Sequence, residues 1–170
     1  MFEGCVLGVD PGLARTGLAV LERRDRRPAI VWTDTVLTGA GLPEADRLAT
    51  IGAAVRAAIQ IHRPSSVAVE RVMFGSNKMS ALSVARATGV VMLVAAEAGL
   101  GVEEYVPAEV KSAVTGMGTA DKGQVHTALL RVHGLRDVPR QPDAADAVAV
   151  ALCHLTQARL RRVAARAAVR

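Results

Sequence analysis

The chain has 170 residues, half of them hydrophobic (51%), with a formal net charge of +5. That length suits one domain with a sizeable core, and no apolar run reaches the length of a bilayer span, Val90 to Ala96 being the longest candidate. Five arginines (Arg159, Arg161, Arg162, Arg166 and Arg170) and no acid lie in residues 159–170; without those five the 21 basic residues become 16, against 16 acidic, so the body is electrically balanced.

Two stretches, 5–10 and 16–22, read as the first two strands. Between them Pro11 and Gly12 force a reversal, because proline cannot donate to a sheet ladder and glycine tolerates positive φ. The turn leaves Asp10 at the end of a central strand. Residues 22–28 form a charged turn, and 29–37 alternate as a third strand, which makes an antiparallel meander. Pro43 opens a helix over 44–62. Its stripe of Leu48, Ile51, Ala54, Val55, Ala58 and Ile59 recurs at helical spacing, and Arg63-Pro64 stops it. Residues 66–70 (Ser-Val-Ala-Val-Glu) repeat the first motif, a short apolar strand that ends in a carboxylate.

After a loop over 72–78, residues 77–99 read as a long Ala-rich helix stopped by Gly99 and Gly101. Residues 102–106 are the fifth strand. Pro107 opens a short helix that ends at 115–118, residues 120–133 form another, and the last helix runs from Pro142 to about Arg162. The order β-β-β-α-β-α-β-α-α-α predicts an α/β fold, a mixed sheet whose first three strands are antiparallel, with helices on both faces. Residues 1–158 are expected as one domain, followed by a basic tail, 159–170, for which disorder is one reading. That tail suits phosphate binding and equally suits a solubilising terminus.

Cys5 and Cys153 sit in apolar runs without metal-ligand spacing and read as buried free thiols of a reducing cytosol. Met1 to Gly4 lead straight into the first strand, so no signal peptide is expected and a cytoplasmic location is.

Asp10 and Glu70 each end an apolar strand, and Asp143-Ala-Ala-Asp146 opens the last helix with both acids on one face. Alone, Asp143 and Asp146 could complement the helix dipole, and Asp10 could serve only its turn. Gathered at one sheet edge, the four would repel one another unless a cation were present. Hard oxygen donors of this kind suit Mg²⁺ or Mn²⁺ and are the usual make-up of a two-metal phosphoryl-transfer site.

Five collinear segments sharpen this reading. They are Leu7-Gly-Val-Asp-Pro-Gly12 with Thr16-Gly17, Val69-Glu-Arg-Val72, residues 81–89, residues 110–118 with Asp121-Lys122, and Asp143-Ala-Ala-Asp-Ala-Val-Ala-Val150. Together they resemble the RuvC family of bacterial Holliday junction resolvases, within the ribonuclease H-like superfamily. The resemblance implies a five-stranded mixed sheet, a homodimer, and four-way DNA junctions as substrate. It implies divalent metal, two ions per site, at Asp10, Glu70, Asp143 and Asp146. It places Lys111 and Lys122 near the scissile phosphate, and implies 5′-phosphate and 3′-hydroxyl products and cooperation with the RuvA–RuvB branch-migration machinery.

One position departs from the family pattern. Where an aromatic base wedge is usual, this chain has Met73, with Phe74 next; either residue could insert beside bases, and Phe74 could instead fold onto the core. Ser76, Asn77, Lys78, Arg71 and Arg86 are further candidate DNA contacts. Three alternatives stay open at this point. An actin- or hexokinase-like phosphotransferase would need a second domain, for which the chain is short. A YqgF-type nuclease or a ribonuclease H would share the fold, and a DNA-binding module without catalysis would have no use for four acids.

Overall fold

The computed structural model describes residues 4–25, 27–72 and 78–168; for 78–80 and 159–168 it describes the backbone alone. Strands β1 (Val6–Asp10), β2 (Arg15–Arg24) and β3 (Arg27–Leu37) form the expected antiparallel meander. Then follow α1 (Glu44–His62), β4 (Ser66–Glu70), α2 (Lys78–Glu97), β5 (Gly101–Tyr105), α3 (Pro107–Thr115), α4 (Lys122–Arg131) and α5 (Pro142–Ala168). The sheet order is β3-β2-β1-β4-β5, with β4 parallel to both β1 and β5. The predicted element order and mixed sheet are therefore observed, with β1 in the middle.

Several boundaries differ by a few residues, for identifiable reasons. Helix α4 starts at Lys122 rather than Ala120 because Asp121 caps it. The Asp121 carboxylate accepts the Gln124 N–H at 2.8 Å, and the Gln124 side chain accepts the Asp121 N–H at 2.9 Å. Helix α1 ends where Arg63 turns left-handed (φ 48°) and donates its N–H to Ile59 O at 2.9 Å, with Pro64 barring continuation. Gly116 (φ 81°) ends α3 in the same way.

The central strand is buried on both faces, which is why it reads as a continuous apolar run. Its alternation sorts the core into two layers. Leu7, Val9, Leu18, Val20, Val67 and Val69 face α1 and α2. Val6, Ala19 and Ala68 face α5 with α3 and α4 beyond it. Each fully buried Leu or Val is worth about 1.5–3 kcal/mol.

The α5 face of the sheet is lined by small residues, and two glycines let the helix settle close. A Cβ on Gly8 would overlap the Ala147 carbonyl oxygen, and one on Gly17 would overlap the Asp143 carbonyl oxygen. Ala144, Ala147 and Ala151 complete the contact from the helix side, all of them buried. Among the described residues no helix is long and apolar enough to cross a membrane.

Candidate active site

Strands β1 and β4 run parallel with Val9 beside Val69. The next residue of each is a carboxylate, so Asp10 and Glu70 leave the sheet side by side. Both have even positions, as do Gly8 and Ala68, so both point to the α5 face. Asp10 also pairs with Gly17 on β2, and Gly17 is the residue against which the first turn of α5 rests. That contact brings Asp143 and Asp146 over the strand ends. The turn itself is closed by the Thr16 hydroxyl, which donates to Gly12 O at 2.7 Å.

The electrostatics record the convergence. Burial pushes the Asp10 carboxyl up to about 8, helped by the charges of Glu70 and Asp146, a hydrogen bond with Glu70, and the charge of Asp143. Glu70 is also raised, by burial first and then by Asp146, while the hydrogen bond to Asp10 and the charges of Lys122 and Lys111 pull it back. A hydrogen bond between the two carboxyls requires that one of them keep a proton. Lys122 donates to Asp146 Oδ2 at 2.7 Å, and this bond holds its ammonium above the usual lysine range.

All four carboxylates and both lysines singled out from the sequence therefore meet at one edge of the sheet. Sequence reasoning missed Arg15, whose guanidinium lies 3.8 Å from Asp143. Its position at the start of β2, one turn after Asp10, is a signal that could have found it. Arg86 forms an ion pair with Glu44 at 2.6 Å, joining α2 to α1, and Arg71 is exposed just after β4, its N–H bonded to Tyr105 O at 2.8 Å. Met73, Phe74, Ser76 and Asn77, and the side chain of Lys78, lie outside the described residues.

The donor set fits a hard divalent cation: oxygen ligands only, an excess of negative charge, and a buried carboxyl raised by the charges of its acidic neighbours. Among the described residues no three such side chains already stand close enough to hold one ion. Asp146 is engaged by Lys122 and Asp143 lies near Arg15, so a full ligand shell requires these side chains to turn inward.

The family model for crossover junction endodeoxyribonuclease RuvC matches residues 6–154. The chain belongs to the RuvC family. A RuvC of Leifsonia xyli subsp. xyli is 44% identical over 150 residues, 88% of this chain and 72% of that one. A RuvC of Moorella thermoacetica is 44% identical over 149 residues, 88% of this chain and 89% of that one. Among solved structures, T. thermophilus RuvC in complex with Holliday junction substrate superposes with a TM-score of 0.86 at 35% identity, over 92% of this chain and 96% of that one. The match supports the ribonuclease H-like assignment and the mixed five-stranded sheet, and the resemblance first seen in scattered motifs extends across nearly the whole RuvC fold.

Proposed function

We propose that this chain resolves four-way DNA junctions by paired, metal-dependent hydrolysis of phosphodiesters, with Asp10, Glu70, Asp143 and Asp146 as the metal-binding set. The observation that carries the reading is the convergence of these carboxylates from β1, β4 and α5, with Lys111 and Lys122 beside them, in a member of the RuvC family. Two ions, Mg²⁺ or Mn²⁺, would be held here, and what they supply when bound is an activated water and stabilisation of the leaving 3′ oxygen.

The protein's own residues do the rest. Asp10 and Glu70 would hold the cation as carboxylates, so its uptake would release any proton between them. Lys122 leaves Asp146 and, with Lys111, faces the phosphate, where positive charge stabilises the transition state. The expected products carry 5′-phosphate and 3′-hydroxyl ends. Arg71 and the 73–78 loop are the candidate contacts to DNA outside the cut. Residues 1–158 act as the nuclease domain, and the arginines of 159–170 add attraction for the DNA backbone.

A two-fold dimer matches the near two-fold symmetry of a junction and places one site on each of two strands of like polarity. Helix α2 is suited to the contact, because its outward face carries Leu82 and Leu93, both well exposed, with Gly89 between them open to close approach. A monomeric mass at micromolar concentration would remove this part of the reading. A cytoplasmic site of action and partnership with the RuvA–RuvB machinery accompany the junction reading.

The deciding experiment compares a labelled four-way junction, a linear duplex and an RNA–DNA hybrid, each with Mg²⁺ or Mn²⁺. Paired nicks confined to the junction are the expected result. Cleavage of the hybrid instead would move the chain to a ribonuclease H-like activity with the same fold.

A further inference from the structure

The carboxylates lie along one edge of the sheet, and the cations beside them differ from one side to the other. On the β4 side Lys111 and Lys122 act on Glu70. On the β2 side stands Arg15, whose strand pairs with β1 so that Gly17 lies opposite Asp10. Arg15 is two residues from Gly17, so it points to the same α5 face as Asp10 and Glu70. With neighbouring strands about 4.8 Å apart, β2 lies about 10 Å from β4. The two lysines already have a part in the proposed hydrolysis, and Arg15 has none.

Arg15 is fixed at its root and loose at its tip. The Thr38 N–H donates to Ala14 O at 3.1 Å, the Thr38 hydroxyl donates to Leu13 O at 2.5 Å, and Arg47 Nε donates to Thr38 Oγ1 at 2.9 Å. These bonds brace the turn that presents Arg15. A Cβ on Gly12 would overlap the Arg15 carbonyl oxygen, so the turn also depends on glycine there. The Arg15 side chain, by contrast, is 65% exposed, and its approach to Asp143 at 3.8 Å is longer than a hydrogen bond. Among the described residues no other ion pair engages it. Leu37, opposite Arg15 on β3, is 67% exposed, so this end of the sheet is open on that side.

The chemistry of the surroundings selects the anion that Arg15 serves. An ion pair this long and this exposed contributes little. Metal uptake turns Asp143 inward and leaves the guanidinium without its carboxylate. A guanidinium fork matches two phosphate oxygens, and phosphate contacts of this kind position a nucleic acid without reading its sequence. A DNA strand that presents one phosphate to the metals leaves the carboxylate edge on both sides, past the lysines on one and past Arg15 on the other.

We propose that Arg15 binds the phosphate next to the one that is cut, on the β2 side of the carboxylates. The inference rests on the junction-resolving reading above. Arg15 is a DNA-binding residue in this scheme, and hydrolysis itself belongs to the carboxylates and the two lysines.

The test uses the full chain carrying Asp10→Asn, so that binding is read without cleavage, and junctions whose wild-type cut sites have been mapped. Each phosphate near the cut is replaced in turn by a neutral methylphosphonate. At one flanking position the replacement should weaken binding by roughly three- to tenfold. Adding Arg15→Ala should weaken binding to the unmodified junction by a similar factor and lower the slope of log affinity against log salt by about one. It should also abolish the effect of the methylphosphonate at that one position and leave the others unchanged. Arg15→Lys, which keeps the charge without the fork, should retain the salt slope and recover part of the affinity. Arg15 is at the surface, so both variants keep the fold. Methylphosphonate losses that persist undiminished at every position in Arg15→Ala, or an unchanged salt slope, would overturn the proposal. Absence of junction binding and cleavage by the wild type would instead overturn the junction reading, and this inference with it.

Discussion

Asp10 and Glu70 stand at the ends of adjacent buried strands, whereas Asp143 and Asp146 stand on the first turn of a helix that lies across them. Among the described residues no cation stands within ion-pair distance of the strand pair; a hydrogen bond joins its members, and burial holds both carboxyls above their ordinary range. The helix pair is attended by bases, Lys122 at 2.7 Å from Asp146 and Arg15 at 3.8 Å from Asp143. One chemical group thus has two electrostatic solutions within one site. At the strand ends burial raises the carboxyl pKa values; on the first turn of the helix, where the carboxylates are about a quarter exposed, basic side chains stand beside them. Uptake of divalent metal would replace both, releasing the proton on one side and the basic side chains on the other.

The largest test breaks the strand side. Asp10→Asn keeps the shape and removes the charge, so turnover should fall by on the order of 10³-fold while junction binding survives in a gel-shift assay; wild-type cleavage by this variant would refute the metal assignment. The same substitution sharpens the stability comparison. The folded pKa of Asp10, about 8, exceeds the unfolded value of about 3.9. Between those pH values the unfolded chain has released a proton that the folded chain keeps, so metal-free stability should fall as pH rises from about 4 to about 8 and level off above that. At about 1.4 kcal/mol per pKa unit, linkage sets an upper limit of about 6 kcal/mol on the effect. Thermal unfolding in chelator across this range should show the slope in wild type and a flatter profile in Asp10→Asn.

Gly17→Ala attacks the joint between the two pairs. Its methyl would overlap the Asp143 carbonyl oxygen, which belongs to backbone and cannot rotate away. A stability loss of about 1–3 kcal/mol is expected, together with a fall in kcat larger than any change in KM, because α5 must lift its carboxylates off the strand ends. A variant that lost stability but kept full kcat would show that the close approach serves packing alone.

The smallest effect belongs to the helix side. Lys122→Gln frees Asp146 and removes a competing cation, so metal affinity in the absence of DNA should tighten by up to about fivefold, the worth of an exposed ion pair, even as cleavage weakens. Calorimetric titration with Mn²⁺ would read this. An unchanged affinity would mean that the Lys122–Asp146 contact is already open in solution.

Short-range physics accounts for the features legible along the chain. The Pro-Gly reversal after Asp10, the period-2 runs that end at Asp10 and Glu70, the i, i+3 placement of Asp143 and Asp146, and the span of α1 all depend on steric limits and side-chain periods within a few residues. The RuvC resemblance rested on the same segments, and the sheet followed from their order. The tertiary structure alone decided the rest. Nothing local said that the even-numbered face of β1 and β4 is the one α5 covers, or that Gly8 and Gly17 admit the helix closely enough to lay Asp143 over Asp10. Helix α4 could be placed from the sequence, but its start at Lys122 depends on the Asp121 cap, and the reach of Lys122 to Asp146 depends on how α4 meets α5. The contact of Arg15 with Asp143 was decided in the same way: burial and charge depend on distances between segments far apart in the chain, and those distances exist only once the core has packed.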